Sequence, residues 1–163
     1  DGSVYGFPFT GNTWFMYYDK SVFSDEDVKS LDAMLEKGKV AFPMDNSWYI
    51  AAFYVANGCT LFGENGGDAD AGFDFSGDKA VAVTNYLVDL IANPNFSNGD
   101  VGTNADAKAF FSGTWDYQKA VDAYGDNLGI AAPPSINIGG EMKQMKSLRK
   151  SNSGLTTRWG LNL

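Results

Sequence analysis

The sequence predicts an α/β fold in which helices pack on a short mixed sheet. Two observations carry that prediction. Apolar runs of about five residues, too short for helices, recur along the chain and alternate with stretches of helical spacing. Most of those helical stretches are also bounded by Ser, Asp or Asn at the front and by Gly or Pro behind, the punctuation that starts and stops helices.

Taken in order, Val4 to Phe9 is apolar and aromatic but interrupted by Gly6 and Pro8, which predicts an extended edge or crossover segment. Thr10 to Thr13 reads as a turn. Trp14 to Tyr18 follows, five bulky residues in succession, as a strand covered on both faces. Ser24-Asp25-Glu26-Asp27 starts a helix: Ser24 can cap, Asp27 answers three residues on, and the acidic turn suits the positive helix end. Val28, Leu31, Met34 and Leu35 give that helix its apolar face, and Gly38 ends it. Lys39 to Phe42 is a strand stopped by Pro43. The next helix opens at Asp45-Asn46-Ser47, carries Trp48, Tyr49, Ala52, Phe53 and Ala56, and closes at Gly58.

Glu64 to Asp78 is a polar, glycine-rich segment, and a solvated hairpin or loop is expected there. A calcium loop is not, because Phe73 falls where the sharp-turn glycine belongs and Lys79 where the bidentate glutamate belongs. Asp78 to Ala92 has clear helical spacing and ends before Pro94. Ser97 to Asn104 reads as loop, Ala107 to Phe111 as strand, and Asp116 to Tyr124 as helix. Leu128 to Ala132 is a strand stopped by Pro133-Pro134, and Ile136 to Gly140 an extended loop segment. From Leu148 onward the pattern fails. Residues 1–147 are therefore expected to form one α/β lobe, followed by an atypical tail at 148–163.

Composition narrows the function. The 163 residues suffice for one domain with a real core, and 12 Phe, 8 Tyr and 4 Trp exceed what that core requires. A formal charge of −8 disfavours nucleic acid and anionic membrane surfaces as partners. The absence of histidine removes Ser-His-Asp and Cys-His nucleophile arrangements, and a single cysteine, Cys59, allows neither an internal disulfide nor a cysteine zinc cluster. No metal site and no cofactor are expected. No signal peptide is visible, and the chain opens at Asp1, which reads as a mature or excised piece.

The motif that organises the chain is Phe110-Phe111-Ser112-Gly113-Thr114-Trp115-Asp116-Tyr117: a strand, a tight turn and a helix start. In α/β folds such turns lie at the carboxyl end of the strand, where ligands are held. A Trp beside a carboxylate suits a neutral sugar, offering a flat apolar face for ring C–H groups and an acceptor for hydroxyls. The ordinary alternative is a core Trp followed by an N-capping Asp. Trp48 and Tyr49, in the first turn of their helix, present the same choice.

Several segments together resemble a known family. Tyr17-Tyr18-Asp19-Lys20 precedes a helix, Asn46-Ser47-Trp48-Tyr49 heads the next, and Asn57-Gly58-Cys59-Thr60-Leu61-Phe62-Gly63 ends it; Tyr86-Leu87-Val88-Asp89-Leu90-Ile91 and Phe111-Ser112-Gly113-Thr114-Trp115-Asp116 come later. In this order they resemble extracellular solute-binding proteins of carbohydrate ABC importers, of the maltose/maltodextrin-binding type found in Firmicutes. The resemblance runs from about Val4 to about Lys146. It implies a type II periplasmic-binding-protein-like lobe, the second of two that close over a sugar. It also implies a lipid-anchored extracellular or periplasmic location, an ABC permease as partner of the full-length protein, and a first lobe outside this chain. Carried onto this sequence, it implies Trp115 as the ring-stacking aromatic, Trp48 or Tyr49 as a second platform, Asn12 as a hydroxyl partner, and Asp116 as an acceptor or a cap. Maltose/maltodextrin-like oligosaccharides are the implied ligand, with no catalysis.

Two other readings compete. A carboxylate-based glycoside hydrolase needs a pair of acids in a special setting, and Asp45, Glu64 and Asp116 all have turn or cap explanations. A lobe fragment that folds without a function is the other. Loss of a facing lobe would leave cleft surface exposed and predicts self-association.

Overall fold

A computed structural model describes residues 6–64, 66–147 and 150–155, with backbone alone for 6–12 and 150–155. Its strands in chain order are β1 (Gly6–Asn12), β2 (Phe15–Asp19), β3 (Val40–Phe42), β4 (Thr60–Leu61), β5 (Phe73–Asp74), β6 (Phe96–Asn98), β7 (Ala109–Ser112), β8 (Leu128–Ala131), β9 (Ser135–Ile138), β10 (Glu141–Gln144) and β11 (Lys150–Leu155). The α-helices are α1 (Leu31–Lys37), α2 (Ser47–Ala56), α3 (Gly77–Ala92) and α4 (Tyr117–Tyr124). Five strands form the central sheet in the order β6-β3-β7-β2-β8. Within it, β3 runs parallel to β6 and β7, and β2 runs antiparallel to β7 and β8, so the sheet is mixed as expected.

Alternation along the strands sends side chains to two cores. Trp14, Met16 and Tyr18, Val40 and Phe42, and Ala109 and Phe111 meet α1, α2 and α3 on one face through Leu31, Met34, Phe53, Val83 and Leu87. Tyr17, Ala41 and Phe110 point to the other face and meet Ala120 and Tyr124 of α4. Trp14 is fully buried and packs against Tyr49 at 5.1 Å and Phe111 at 5.9 Å between ring centroids. Covering both faces explains why β2, β3 and β7 read as unbroken apolar runs.

Helix α2 is apolar from Trp48 to Ala56, and it has work for both sides. Tyr49, Ala52 and Phe53 enter the core, while Trp48, Ala51 and Val55 line a groove of about 960 Å³ closed by Leu61, Phe62, Phe73 and Phe75. Of the hairpin β4–β5 that forms this wall, β5 lies in the segment expected to be hairpin or loop, while β4 precedes it.

Several boundaries differ from the sequence expectation. The turn placed at Thr10 to Thr13 is strand as far as Asn12, with an irregularity between Pro8 and Thr10. Ser24 and Asp27 form the predicted reciprocal pair, Ser24 N–H donating to Asp27 Oδ2 at 2.8 Å and Asp27 N–H to Ser24 Oγ at 3.3 Å. They open only a single 3₁₀ turn, however. The chain extends at Ser30, whose hydroxyl accepts from Ala33 N–H and caps α1 afresh. Phe96 to Asn98, in part assigned to loop, is an edge strand beside β3. Ile136 to Gly140 is half of a hairpin: β9 pairs with β10 through Gly139 and Gly140, both at positive φ (62° and 88°), the turn conformation that glycine alone adopts freely. In the tail, Lys150 to Leu155 runs antiparallel to β1.

Candidate functional site

The carboxyl ends of β3, β6, β7 and β8 and the entry to β2 share one edge of the sheet, since β2 runs opposite to its neighbours. After β3 the chain crosses to β6 on one side, and β7 lies on the other. Connections therefore diverge between β3 and β7, leaving a crevice of the kind where open α/β sheets hold ligands. The first turns of α2 and the 3₁₀ turn Thr114–Asp116 ahead of α4 border that crevice.

Trp115 sits in this 3₁₀ turn with 53% of its surface exposed, so the core-Trp reading is wrong. The buried tryptophan of this region is Trp14. The capping alternative for Asp116 fails as well, because its side chain accepts no cap hydrogen bond from α4. Asp116 Oδ2 instead accepts from Ser112 Oγ at 2.5 Å, and Oδ1 pairs with Lys119 Nζ at 3.0 Å. Lys119 Nζ also contacts Asp100 Oδ2 at 2.6 Å. Asp100 Oδ1 in turn accepts from the N–H groups of Gly102 and Thr103. Burial opposes ionisation of Asp100, but Lys119 and these donors outweigh it and lower its pKa; the same carboxylates raise the pKa of Lys119.

The aromatic pair at the head of α2 divides. Asn46 accepts from Trp48 N–H at 3.0 Å and fixes the helix start. Tyr49 turns inward, 8% exposed, with its ring on Trp14 and Phe42. Burial pushes its phenol pKa up; the Ser112 hydroxyl opposes that rise, and Asp116 and Asp100 add to it, so the phenol faces the charged network. Trp48 is half-buried and lines the apolar groove, and its indole Nε1 has no hydrogen-bond partner. Of the two, Trp48 is the one that lines the groove, and Tyr49 is the one in the core. The side chain of Asn12 lies outside the described residues; its backbone pairs with Lys150.

Sequence reasoning missed Ser112, Lys119 and Asp100. The i,i+3 spacing of Asp116 and Lys119 was available as a signal. Asp100 had none, being brought in by the loop after β6. Among the described residues, no three His, Cys, Asp or Glu side chains cluster as metal ligands.

A family model for "Bacterial extracellular solute-binding protein" matches residues 1–156. The chain belongs to the bacterial extracellular solute-binding proteins. A protein of similar fold, solved with acarbose, is 56% identical, with a TM-score of 0.84 over 93% of this chain and 42% of that one. The maltodextrin-binding protein MalE1 from L. casei BL23, without ligand, is 22% identical and has a TM-score of 0.83, covering 93% and 41% of the two chains. A cyclo/maltodextrin-binding protein complexed with maltotetraose is 20% identical with a TM-score of 0.70, covering 92% and 42%. The latter two share the solute-binding fold. The chain thus spans about two fifths of the length of these solved relatives. No curated protein matches it.

Proposed function

We propose that this solute-binding chain is one lobe of a maltose/maltodextrin receptor of an ABC importer and supplies one wall of a sugar cleft. The observation that carries this reading is Trp115, a large aromatic left half exposed on the ligand edge of the sheet. Sugar rings stack on such faces, and a few oriented polar groups then set specificity. The relative at 56% identity was solved with acarbose, a carbohydrate, which supports the ligand class. Trp48 serves as the second platform, Asp116 and Asn12 as hydroxyl partners, and Tyr49 as support for the wall from beneath. The role is binding without catalysis. In the full-length protein the partners are the facing lobe and a membrane permease, and the protein works outside the cell, lipid-anchored or periplasmic.

One wall alone holds sugar weakly. Titration with maltose and maltotetraose, followed by Trp fluorescence, is expected to give a shallow, low-affinity response in this chain and a tight one in a version carrying both lobes. A tight, saturable complex with the isolated chain overturns the one-wall reading, and no response in either form overturns the sugar assignment. Incubation with maltotetraose releases no shorter sugar; release would restore the hydrolase. Because the chain spans 42% of its 56%-identical relative, a folded lobe without binding remains the second reading, and the two-lobe titration separates them. Sedimentation at rising concentration is expected to show self-association.

A further inference from the structure

We infer that Lys119, which is not part of the sugar wall, is a positioning residue that sets the orientation of Trp115. The inference rests on the platform role proposed above for that ring.

The Thr114–Asp116 turn has little of its own to hold it. It is a single 3₁₀ turn with no side-chain cap, and α4, which follows, has none either. Trp115 stacks on no other aromatic ring among the described residues, and its indole rests on the backbone at Gly113. Two backbone-directed bonds fix the start of the turn: Tyr17 Oη donates to Gly113 O at 2.9 Å, and Asp116 N–H donates to the same carbonyl at 3.1 Å. The end of the turn is fixed through the carboxylate of Asp116, the residue directly after Trp115. Both its oxygens are engaged, one by Ser112 and one by Lys119.

Lys119 is the member of this set that reaches beyond the local strand and turn. By pairing with Asp100 it ties the turn to the loop after β6, two strands away in the sheet. Asp100 and Asp116 side chains are 28% and 24% exposed, so the pairs lie partly out of solvent, where an ammonium shared by two carboxylates restrains more than a surface pair does. Without the ammonium, two like charges would face each other at the base of the turn, and the turn would be pushed open with Trp115 on it.

The test labels the chain with 5-fluorotryptophan and reads each indole by ¹⁹F NMR, with Trp115→Phe to assign its signal. Lys119→Met keeps the aliphatic stem and removes the charge. The expected result is a shifted and narrowed Trp115 signal with Trp14 and Trp48 unmoved, restored by Lys119→Arg, and an affinity for maltotetraose about three- to tenfold weaker, the worth of one aromatic contact. Asp100→Asn should move the Trp115 signal in the same direction by less. An unchanged Trp115 signal in Lys119→Met overturns the inference. So does a common shift of all indoles with a lower unfolding midpoint and no rescue by Arg, since that marks general destabilisation. If Lys119→Met frees the ring while sugar moves the wild-type Trp115 signal in neither this chain nor a version carrying both lobes, the positioning role stands and the sugar assignment falls.

Discussion

The indole of Trp115 lies on the bare Cα of Gly113: a Cβ built on that glycine would stand 2.1 Å from the ring's Cζ3 and 2.3 Å from its Cη2. No side chain at position 113 is compatible with this ring position. In Gly113→Ala the half-exposed ring must leave the backbone. The loss of stability is expected to stay near the low end of the overpacking range, about 1 kcal/mol. Acrylamide quenching of Trp115 should rise, and sugar affinity should fall. Unchanged quenching would show that the backbone yields instead.

Trp14 and Trp115 should separate cleanly. Trp14→Ala empties a fully buried site and is expected to cost about 3–5 kcal/mol. Trp115→Ala, at a position 53% exposed, should cost within about 0.5 kcal/mol in urea unfolding while weakening sugar binding in a two-lobe form. Unfolding of the lobe by Trp115→Ala would return that residue to the core.

Adjacent residues on α2 carry opposite predictions. Tyr49→Ala opens a hole beneath Trp14 and Phe42 and is expected to cost about 3–5 kcal/mol. Trp48→Ala trims the groove wall and should lower affinity for maltotetraose more than stability. Thermal melts beside a titration of each variant check the pair.

How much of this was legible in the sequence follows from range. Short apolar runs marked β2, β3 and β7 because a strand covered on both faces has no polar side to hide. The first turn of α2 was legible through its Asn46 cap, yet Trp48 and Tyr49 could not be ranked, since the Tyr49 ring turns inward onto Trp14, more than thirty positions earlier. Phe96-Ser97-Asn98 has no strand pattern, and its strand character comes from lying beside β3. Ser24 to Asp27 gave a true capping pair but not the break at Ser30, where a second hydroxyl competes for the helix start. The charged network failed to appear because Lys119 meets Asp100 through space and not through spacing.

Acid should act on the turn before α1. Lys37, with help from the Ser24 hydroxyl and N–H, lowers the pKa of Asp27 from 3.8 to about 2. A carboxylate with a depressed native pKa contributes stability that is fully present above the unfolded value and fades as pH falls through the native one. Asp27→Asn should therefore be less stable than the parent at pH 6, and the gap should close between pH 3.8 and about 2. A gap that stays constant across that window would mean Asp27 acts through shape and not through charge.

The pairing of Gly6 with Leu155 brings the first and last described strands together, so the segment between them leaves and returns side by side. A unit with that property can be spliced into an exposed loop of an unrelated host without prising the host apart. The same arrangement makes a two-stranded ribbon its sole covalent tether there. A graft of residues 6–155 would turn on that ribbon as on a wrist, and a fluorophore on the host opposite Trp115 would report every change in the angle.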